Sequence, residues 1–287
     1  MKLLLLGHGY LGQAISREFL AAGWDVTAIS RHGDVSSIPN SEFRIPNFQQ
    51  LPCDITSPSD VAALAARISS PDLLLHCASS GRGGADAYRS VYLEGCRHLL
   101  DAFPGIPLIF TSSTSVYAQI DGSEVTEESP AEPDRDTGKI LRETEDLVLA
   151  HGGLVARLSG IYGPGRSVIL KKFLSGEAVI EEDGRRFLNQ IHRDDAAPAL
   201  LRLASQISNL KSQIFNLSDS RPLTQLECYT GLARLFSKHL PPSGPRDLNR
   251  KRGWTHKRVS NAKLRATGWE PRYPCFLDAA AAIAPTL

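Results

Sequence analysis

Scarcity narrows this chain before any motif is read. Its 287 residues include five cysteines, Cys53, Cys77, Cys96, Cys228 and Cys275. The number is odd and no two stand in CxxC spacing, so neither a disulfide scaffold nor a cysteine-held metal is indicated. No metal is expected, and a reduced, cytoplasmic setting fits this usage. Long apolar runs are missing too. Leu3–Leu6 is cut short by Gly7-His8-Gly9, too soon for the apolar core of a secretion signal, and no stretch is long enough to span a bilayer. Charge of one sign is lacking: 32 Lys and Arg stand against 31 Asp and Glu, a net of +1. That balance argues against nucleic acid or an anionic membrane surface as a partner. Arg246 to Arg258 is locally basic and reads as a solvated loop, with a phosphate-facing role as the alternative. No internal repeat or low-complexity tail is visible. The length suits one α/β domain with a smaller lobe.

What is present is concentrated at the start. Leu3 to Leu6 has no polar alternation, the pattern of a parallel strand buried on both faces. GHGYLG follows directly, Gly7 to Gly12, and then an amphipathic stretch from Tyr10 to Ala22 stopped by Gly23. In GxGxxG spacing each glycine has its own duty. Gly7 permits the turn out of the strand, Gly9 lets a diphosphate approach the backbone, and Gly12 lets the helix pack close to the strand. The helix N-terminus, with its unpaired N–H groups and dipole, favours the anion. Gly7, His8, Gly9, Tyr10, Leu11 and Gly12 are therefore candidate cofactor residues.

The second strand, Trp24 to Ser30, lacks the carboxylate that usually holds an unphosphorylated ribose. Its end reads Ser30-Arg31, about 18 residues past Gly12. A hydroxyl and a planar guanidinium suit a 2′-phosphate, so the cofactor expected is NADP, with NAD the less favoured choice. Asp34 lies beyond Gly33, too far along. Residues 34–50 read as loop and Leu51–Ile55 as a short third strand. Asp54 at its end either accepts from the adenine amine or starts a turn. Ser57 and Pro58 open a helix to about Ile68. Asp72–Cys77 is a buried fourth strand, and Ala78, Ser79 and Ser80 leave it where small residues admit a ribose and diphosphate. A helix over Ala85–Phe103 and a fifth strand over Pro107–Ser112 continue the alternation. The pattern predicts a doubly wound parallel sheet, with ligands beyond the carboxyl ends of its strands.

The rest is less regular. Thr111 to Tyr117, TSSTSVY, sets hydroxyls at that ligand-binding end. Residues 119–136 read as an acidic loop, Thr137–His151 as a helix and Leu154–Leu158 as a sixth strand leading into SGIYGPGR. Val168–Leu174 is helical, and Arg186–Ile191 reads as a strand entering His192-Arg193-Asp194-Asp195. There an aspartate is the expected helix cap and His192 is read as structural. Ile214–Ser218 is the last buried strand, Thr224 caps a helix, and Val259–Trp269 is a small helix ended by Gly268. The expected division is 1–160, with 186–218 returning to it, against a substrate-covering lobe of 161–185 and 219–287.

GHGYLG, TSSTSVY, ARLSGIYGPGR, IHRDD and SNAKLRATGW together resemble the extended, epimerase/dehydratase-like branch of the short-chain dehydrogenase/reductase superfamily. The resemblance covers most of the chain and implies a Rossmann-type fold with a small C-terminal substrate lobe. It puts Ser113 in the place of the active-site Ser/Thr and matches Arg157, Tyr162, Gly163 and Pro164 to the turn beside cofactor and substrate. It also implies pairing through two helices, a homodimer. The chain departs from the family at Tyr-x-x-x-Lys, where Tyr is the acid/base. Aligned on Lys139, Arg135 takes the Tyr place; aligned on Glu145, Thr137 and Leu141 take the two places. Neither alignment supplies a phenol, and a Thr hydroxyl is too weak an acid to replace one. Two readings follow. One is an NADP-dependent oxidoreductase or epimerase on a hydroxyl or carbonyl small molecule, with Ser113 orienting the substrate oxygen and Tyr117, Tyr162 or Lys139 supplying the proton. The other is an NADP(H) sensor that binds without turnover.

Overall fold

The computed structural model describes residues 1–31, 46–81, 83–211, 213–246 and 254–287. His32, Gly33 and Asp34, together with much of the basic stretch before Arg258, lie outside the described residues. Seven strands form one parallel sheet: β1 (Lys2–Leu6), β2 (Asp25–Ser30), β3 (Phe48–Pro52), β4 (Leu73–His76), β5 (Leu108–Ser113), β6 (Leu154–Leu158) and β7 (Gln213–Leu217). Their order is β3-β2-β1-β4-β5-β6-β7. The chain starts in the middle, winds outward to β3, then returns past β1 to build the other half. That reversal is the topological switch at which doubly wound sheets bind their ligands. Leu3, Leu4, Leu5 and Leu6 are each at most 1% exposed, so the unalternating run is covered on both faces, as its pattern predicts.

The helices include α1 (Tyr10–Ala21), α2 (Pro58–Arg67), α3 (Ala85–Tyr88), α4 (Gly95–Ala102) and α5 (Asp136–Ala150). Ser57 caps α2 by accepting from the Asp60 amide at 3.3 Å. Two expectations are corrected here. The third strand begins at Phe48, inside the stretch read as loop, because Gln49 and Gln50 are edge-strand residues whose polarity hides the pattern. The single helix expected over Ala85–Phe103 is instead α3, a π-helical segment at Arg89–Glu94, and α4. The buried His76 ring meets the Val91 carbonyl through Nε2 at 3.0 Å. A side chain that engages a helix carbonyl from outside favours the wider turn.

Further on lie α6 (Val168–Leu174), α7 (Arg193–Ser205), α8 (Gln225–Phe236), α9 (Ala262–Arg265) and α10 (Phe276–Ile283). Thr224 and Glu227 form a full capping box on α8. The strand expected over Arg186–Ile191 is two short pieces, Phe187–Leu188 and Gln190–His192, which pair with different partners. The loop expected over 119–136 carries a two-residue strand, Glu124–Val125, paired with Arg258–Val259. Asp194 or Asp195 is the expected cap of α7, but the helix begins at Arg193 and both lie in its first turn, where Asp194 accepts from the Arg193 guanidinium at 2.9 Å. The Asp195 carboxylate accepts from the backbone amides of Arg272 at 2.8 Å and Tyr273 at 3.0 Å.

The chain divides into two compact units, 1–112 with 134–156 and 197–214, and 113–133 with 157–196 and 215–287. This places residues 113–133, 157–160, 186–196 and 215–218 with the second unit, where the sequence pattern assigned them to the first. The second unit has its own apolar core, in which Leu170, Phe173, Leu232, Phe276 and Ile283 meet Tyr162 and Tyr229. Among the described residues no helix is long and apolar enough to cross a membrane.

Candidate functional site

In the first unit the three glycines of the β1–α1 elbow meet three different surroundings. Gly7 has φ +106°, and a Cβ there would lie 2.4 Å from the Ala78 amide nitrogen. A Cβ on Gly12 would come within 2.0 Å of the Gly7 carbonyl oxygen. Around Gly9 nothing lies within 4 Å of that position. Two glycines are thus demanded by packing, and the third leaves an open approach to the backbone. Gly9 is the residue before α1, which has no side-chain cap and no acidic residue in its first turn. A helix start so arranged accepts an anion without competition. These surroundings fit the diphosphate of a dinucleotide. Tyr10 opens α1 half-buried, and Leu11 is buried. The Cys77 thiol donates to the Gly7 carbonyl at 3.0 Å, and burial pushes its pKa up to about 12, so it is an inert prop for the turn.

The end of β2 presents Ser30, half-buried, and Arg31, exposed. The Gln50 amide donates to Ser30 Oγ at 3.0 Å, and Gln50 Oε1 lies 3.1 Å from His8 Nδ1. Burial lowers the His8 pKa and the Gln50 hydrogen bond opposes that shift. Asp54 Oδ1 accepts from the Thr56 amide at 3.0 Å and from its hydroxyl at 2.8 Å, which is an Asx turn. The turn reading of Asp54 has these two bonds, and they leave its second carboxylate oxygen to other partners. Past β4, Ala78 backs Gly7, Ser79 Oγ accepts from the Gly81 amide at 3.1 Å, and the Ser80 amide donates to the Tyr92 hydroxyl at 3.3 Å.

On α5, Lys139 is 62% exposed and its ammonium lies 4.0 Å from Asp136. Glu145 is wholly buried, where it accepts from the Ser112 hydroxyl at 2.5 Å and pairs with Arg142. Leu141, which the Glu145 alignment sets at the family's lysine place, is 4% exposed. That place is filled by apolar packing.

In the second unit, Ser113 accepts from the Ser115 amide at 3.2 Å and caps a single 3₁₀ turn, Thr114–Val116. Its hydroxyl proton is not used in that bond. Tyr117 is wholly buried; its phenol donates to Asn216 Oδ1 at 2.9 Å and accepts from Arg157 at 2.8 Å. Burial pushes the Tyr117 pKa up, against the pull of Arg157. Tyr162 is 1% exposed, stands edge-on to His192 and Phe276, and burial drives its pKa well above the ordinary phenol range. Both phenols are buried: that of Tyr117 is hydrogen-bonded on two sides, and that of Tyr162 meets no hydrogen-bond partner among the described residues. His192 is buried; its Nδ1 accepts from the Asp194 amide at 3.1 Å, and burial pushes its pKa down to about 4.

Two side chains escaped the sequence reading. Gln50 falls within the polar stretch that reads as loop and stands in β3. Lys257, 3% exposed, donates to the Tyr117 carbonyl at 2.7 Å and to Thr255 Oγ1 at 3.1 Å. Burial, with Arg186 adding to it, pushes the Lys257 pKa down to about 7. Its only sequence signal was membership of the basic stretch that read as solvated.

Residues 3–218 match the sequence profile of the NAD dependent epimerase/dehydratase family. Protein YeeZ of Escherichia coli strain K12 is 28% identical over 286 residues, covering 95% of this chain and 96% of that protein. Among solved structures, a candidate NAD-dependent epimerase/dehydratase from Methylobacillus flagellatus is 29% identical. It superposes with a TM-score of 0.78 over 99% of this chain and 97% of its own. The UDP-glucuronic acid 4-epimerase of Bacillus cereus, in complex with UDP-glucuronic acid and NAD, reaches a TM-score of 0.81 at 20% identity. It covers 100% of this chain and 98% of its own, and at that identity the likeness concerns the fold. With a profile match across β1 to β7 and a glycine elbow built as the family requires, this chain belongs to the NAD dependent epimerase/dehydratase family.

Proposed function

We propose that this chain binds NADP(H) at the β1–α1 elbow and acts as an oxidoreductase or epimerase on a small molecule with a hydroxyl or carbonyl group. The observation that carries the reading is the elbow itself: two glycines required by contacts at 2.4 and 2.0 Å, and a third left open at the start of an uncapped helix. Arg31, exposed beside Ser30 at the end of β2, supports the phosphorylated cofactor, since a guanidinium grips phosphate through a planar fork. When bound, the cofactor supplies hydride exchange at its nicotinamide. The chain's own part is to seat the diphosphate, exclude water and orient the substrate oxygen, for which Ser113 retains a hydroxyl proton.

A second reading, binding without turnover, is favoured by the sealing of Tyr117 and Tyr162 and by the solvated position of Lys139. One experiment separates the two. Purified protein is titrated with NADPH by fluorescence, then mixed with aldehydes, ketones and nucleotide sugars. Consumption of NADPH that is lost in Ser113→Ala supports the enzyme. Tight binding with no consumption of NADPH and no change in any compound, epimerisation of the nucleotide sugars included, supports the sensor. In the same titrations Arg31→Ala weakens NADPH about tenfold or more and NADH by less than twofold. Equal losses would remove Arg31 from the 2′-phosphate.

A further inference from the structure

A hydrogen-bonded chain runs across the ends of β1, β2 and β3, and no motif announces it. Gln50 stands in β3, paired in register with Ala28 of β2. Its Nε2 donates to Ser30 Oγ at 3.0 Å, and its Oε1 faces His8 Nδ1 at 3.1 Å. His8 is the residue between Gly7 and Gly9, and its ring lies 5.4 Å from that of Phe48. With Nδ1–H on the imidazole, His8 donates to Gln50, and the Gln50 amide turns its N–H toward Ser30. A serine hydroxyl has one proton to give and two lone pairs to accept with. Gln50 fills an acceptor position on Ser30, so the Ser30 proton is left to be donated outward. A phosphate at neutral pH is mostly dianionic and accepts such a proton far more readily than it donates one back.

We infer that Gln50 is a positioning residue for cofactor specificity: anchored by His8, it sets Ser30 as a hydrogen-bond donor for the 2′-phosphate beside Arg31. This rests on the NADP reading above. Gln50 acts through Ser30, so its influence is directional rather than additive to contact area. A hydrogen bond to a charged acceptor is roughly twice as strong as a neutral one, and a bonded chain polarises its members further. The effect therefore falls on the phosphorylated cofactor and spares the other.

The test compares wild type, Gln50→Leu and Gln50→Glu in fluorescence titrations with NADPH and with NADH, with thermal midpoints measured alongside. Gln50→Leu is expected to raise the NADPH dissociation constant about five- to tenfold and the NADH constant less than twofold. Gln50→Glu accepts the Ser30 proton and adds a negative charge, so NADPH weakens more than in Gln50→Leu while NADH holds. Equal losses for the two cofactors, or an unchanged NADPH to NADH ratio in both variants, would overturn the inference and leave the NADP reading standing. A wild type with no preference for NADPH overturns both together.

Discussion

At the scale of single residues, the elbow glycines separate structure from binding. Gly12→Ala drives a methyl into the Gly7 carbonyl at 2.0 Å, and that oxygen is backbone with nowhere to retreat. We expect it to destabilise the fold by about 2–4 kcal/mol, measured by urea unfolding. Gly9→Ala meets nothing within 4 Å, so its stability should stay within about 0.5–1 kcal/mol of wild type while NADPH affinity drops about tenfold or more. A Gly9→Ala protein that binds as tightly as wild type would contradict the elbow as the diphosphate seat. The glycine duties were legible because they follow from local spacing. Lys257 was not, since the carbonyl that holds its amine belongs to Tyr117, 140 residues earlier. Its native pKa of about 7 lies below the ordinary 10.5. Between those values the unfolded chain holds a proton that the native state lacks, so stability rises with pH across that window and falls as pH drops toward 7. The slope from this group is at most about 1.4 kcal/mol per pH unit. Lys257→Met should flatten the wild-type curve between pH 7 and about 10 in denaturant titrations.

At the scale of elements, α5 shows how position was readable and chemistry was not. The sequence reading of a helix over Thr137–His151 lies within a residue of its extent at either end. What fastens it is the buried Glu145 carboxylate, bonded to Ser112 on β5 and paired with Arg142 of its own helix. Removing the carboxylate in Glu145→Ala leaves a buried hydroxyl and a half-buried guanidinium without this partner. The expected cost is about 2–4 kcal/mol, with Glu145→Gln losing less because it still accepts from Ser112. Equal unfolding midpoints for Glu145→Ala and wild type would show that α5 is held by apolar packing alone. The π turn at Arg89–Glu94 is invisible in periodicity, and the group that meets its Val91 carbonyl, the His76 ring, comes from β4.

At the scale of the whole molecule, two buried imidazoles shape the response to acid. Burial lowers the pKa of His76 to about 4 and that of His192 to about 4, from an ordinary 6.5. Between pH 6.5 and 4 the unfolded chain takes up protons that the native protein refuses, so stability is present above 6.5 and is lost as pH falls toward 4. Burial raises the pKa of Glu127, Asp195 and Asp219, which opposes this loss, so the imidazole part is read by difference. In differential scanning calorimetry from pH 8 to 4.5, the midpoint of His76→Phe should hold better below 6.5 than that of wild type. Cofactor acts in the opposite direction: NADPH at about a hundred times its dissociation constant should add about 2.7 kcal/mol to unfolding. A midpoint that ignores NADPH would speak against binding to the native state.

By itself the amino-acid order determined the sheet, the winding and the dinucleotide elbow. Those depend on interactions between near neighbours: a both-faces-buried run, a glycine spacing, a capped helix start. Only the tertiary structure decided which polar groups remain available for chemistry. It buried the hydroxyls of Tyr117 and Tyr162, turned Lys139 to solvent, and joined His8, Gln50 and Ser30 across three strand ends. The reason is physical. A side chain's acidity and its spare hydrogen bonds are set by desolvation and by partners brought from far along the chain, and neither is written in local periodicity.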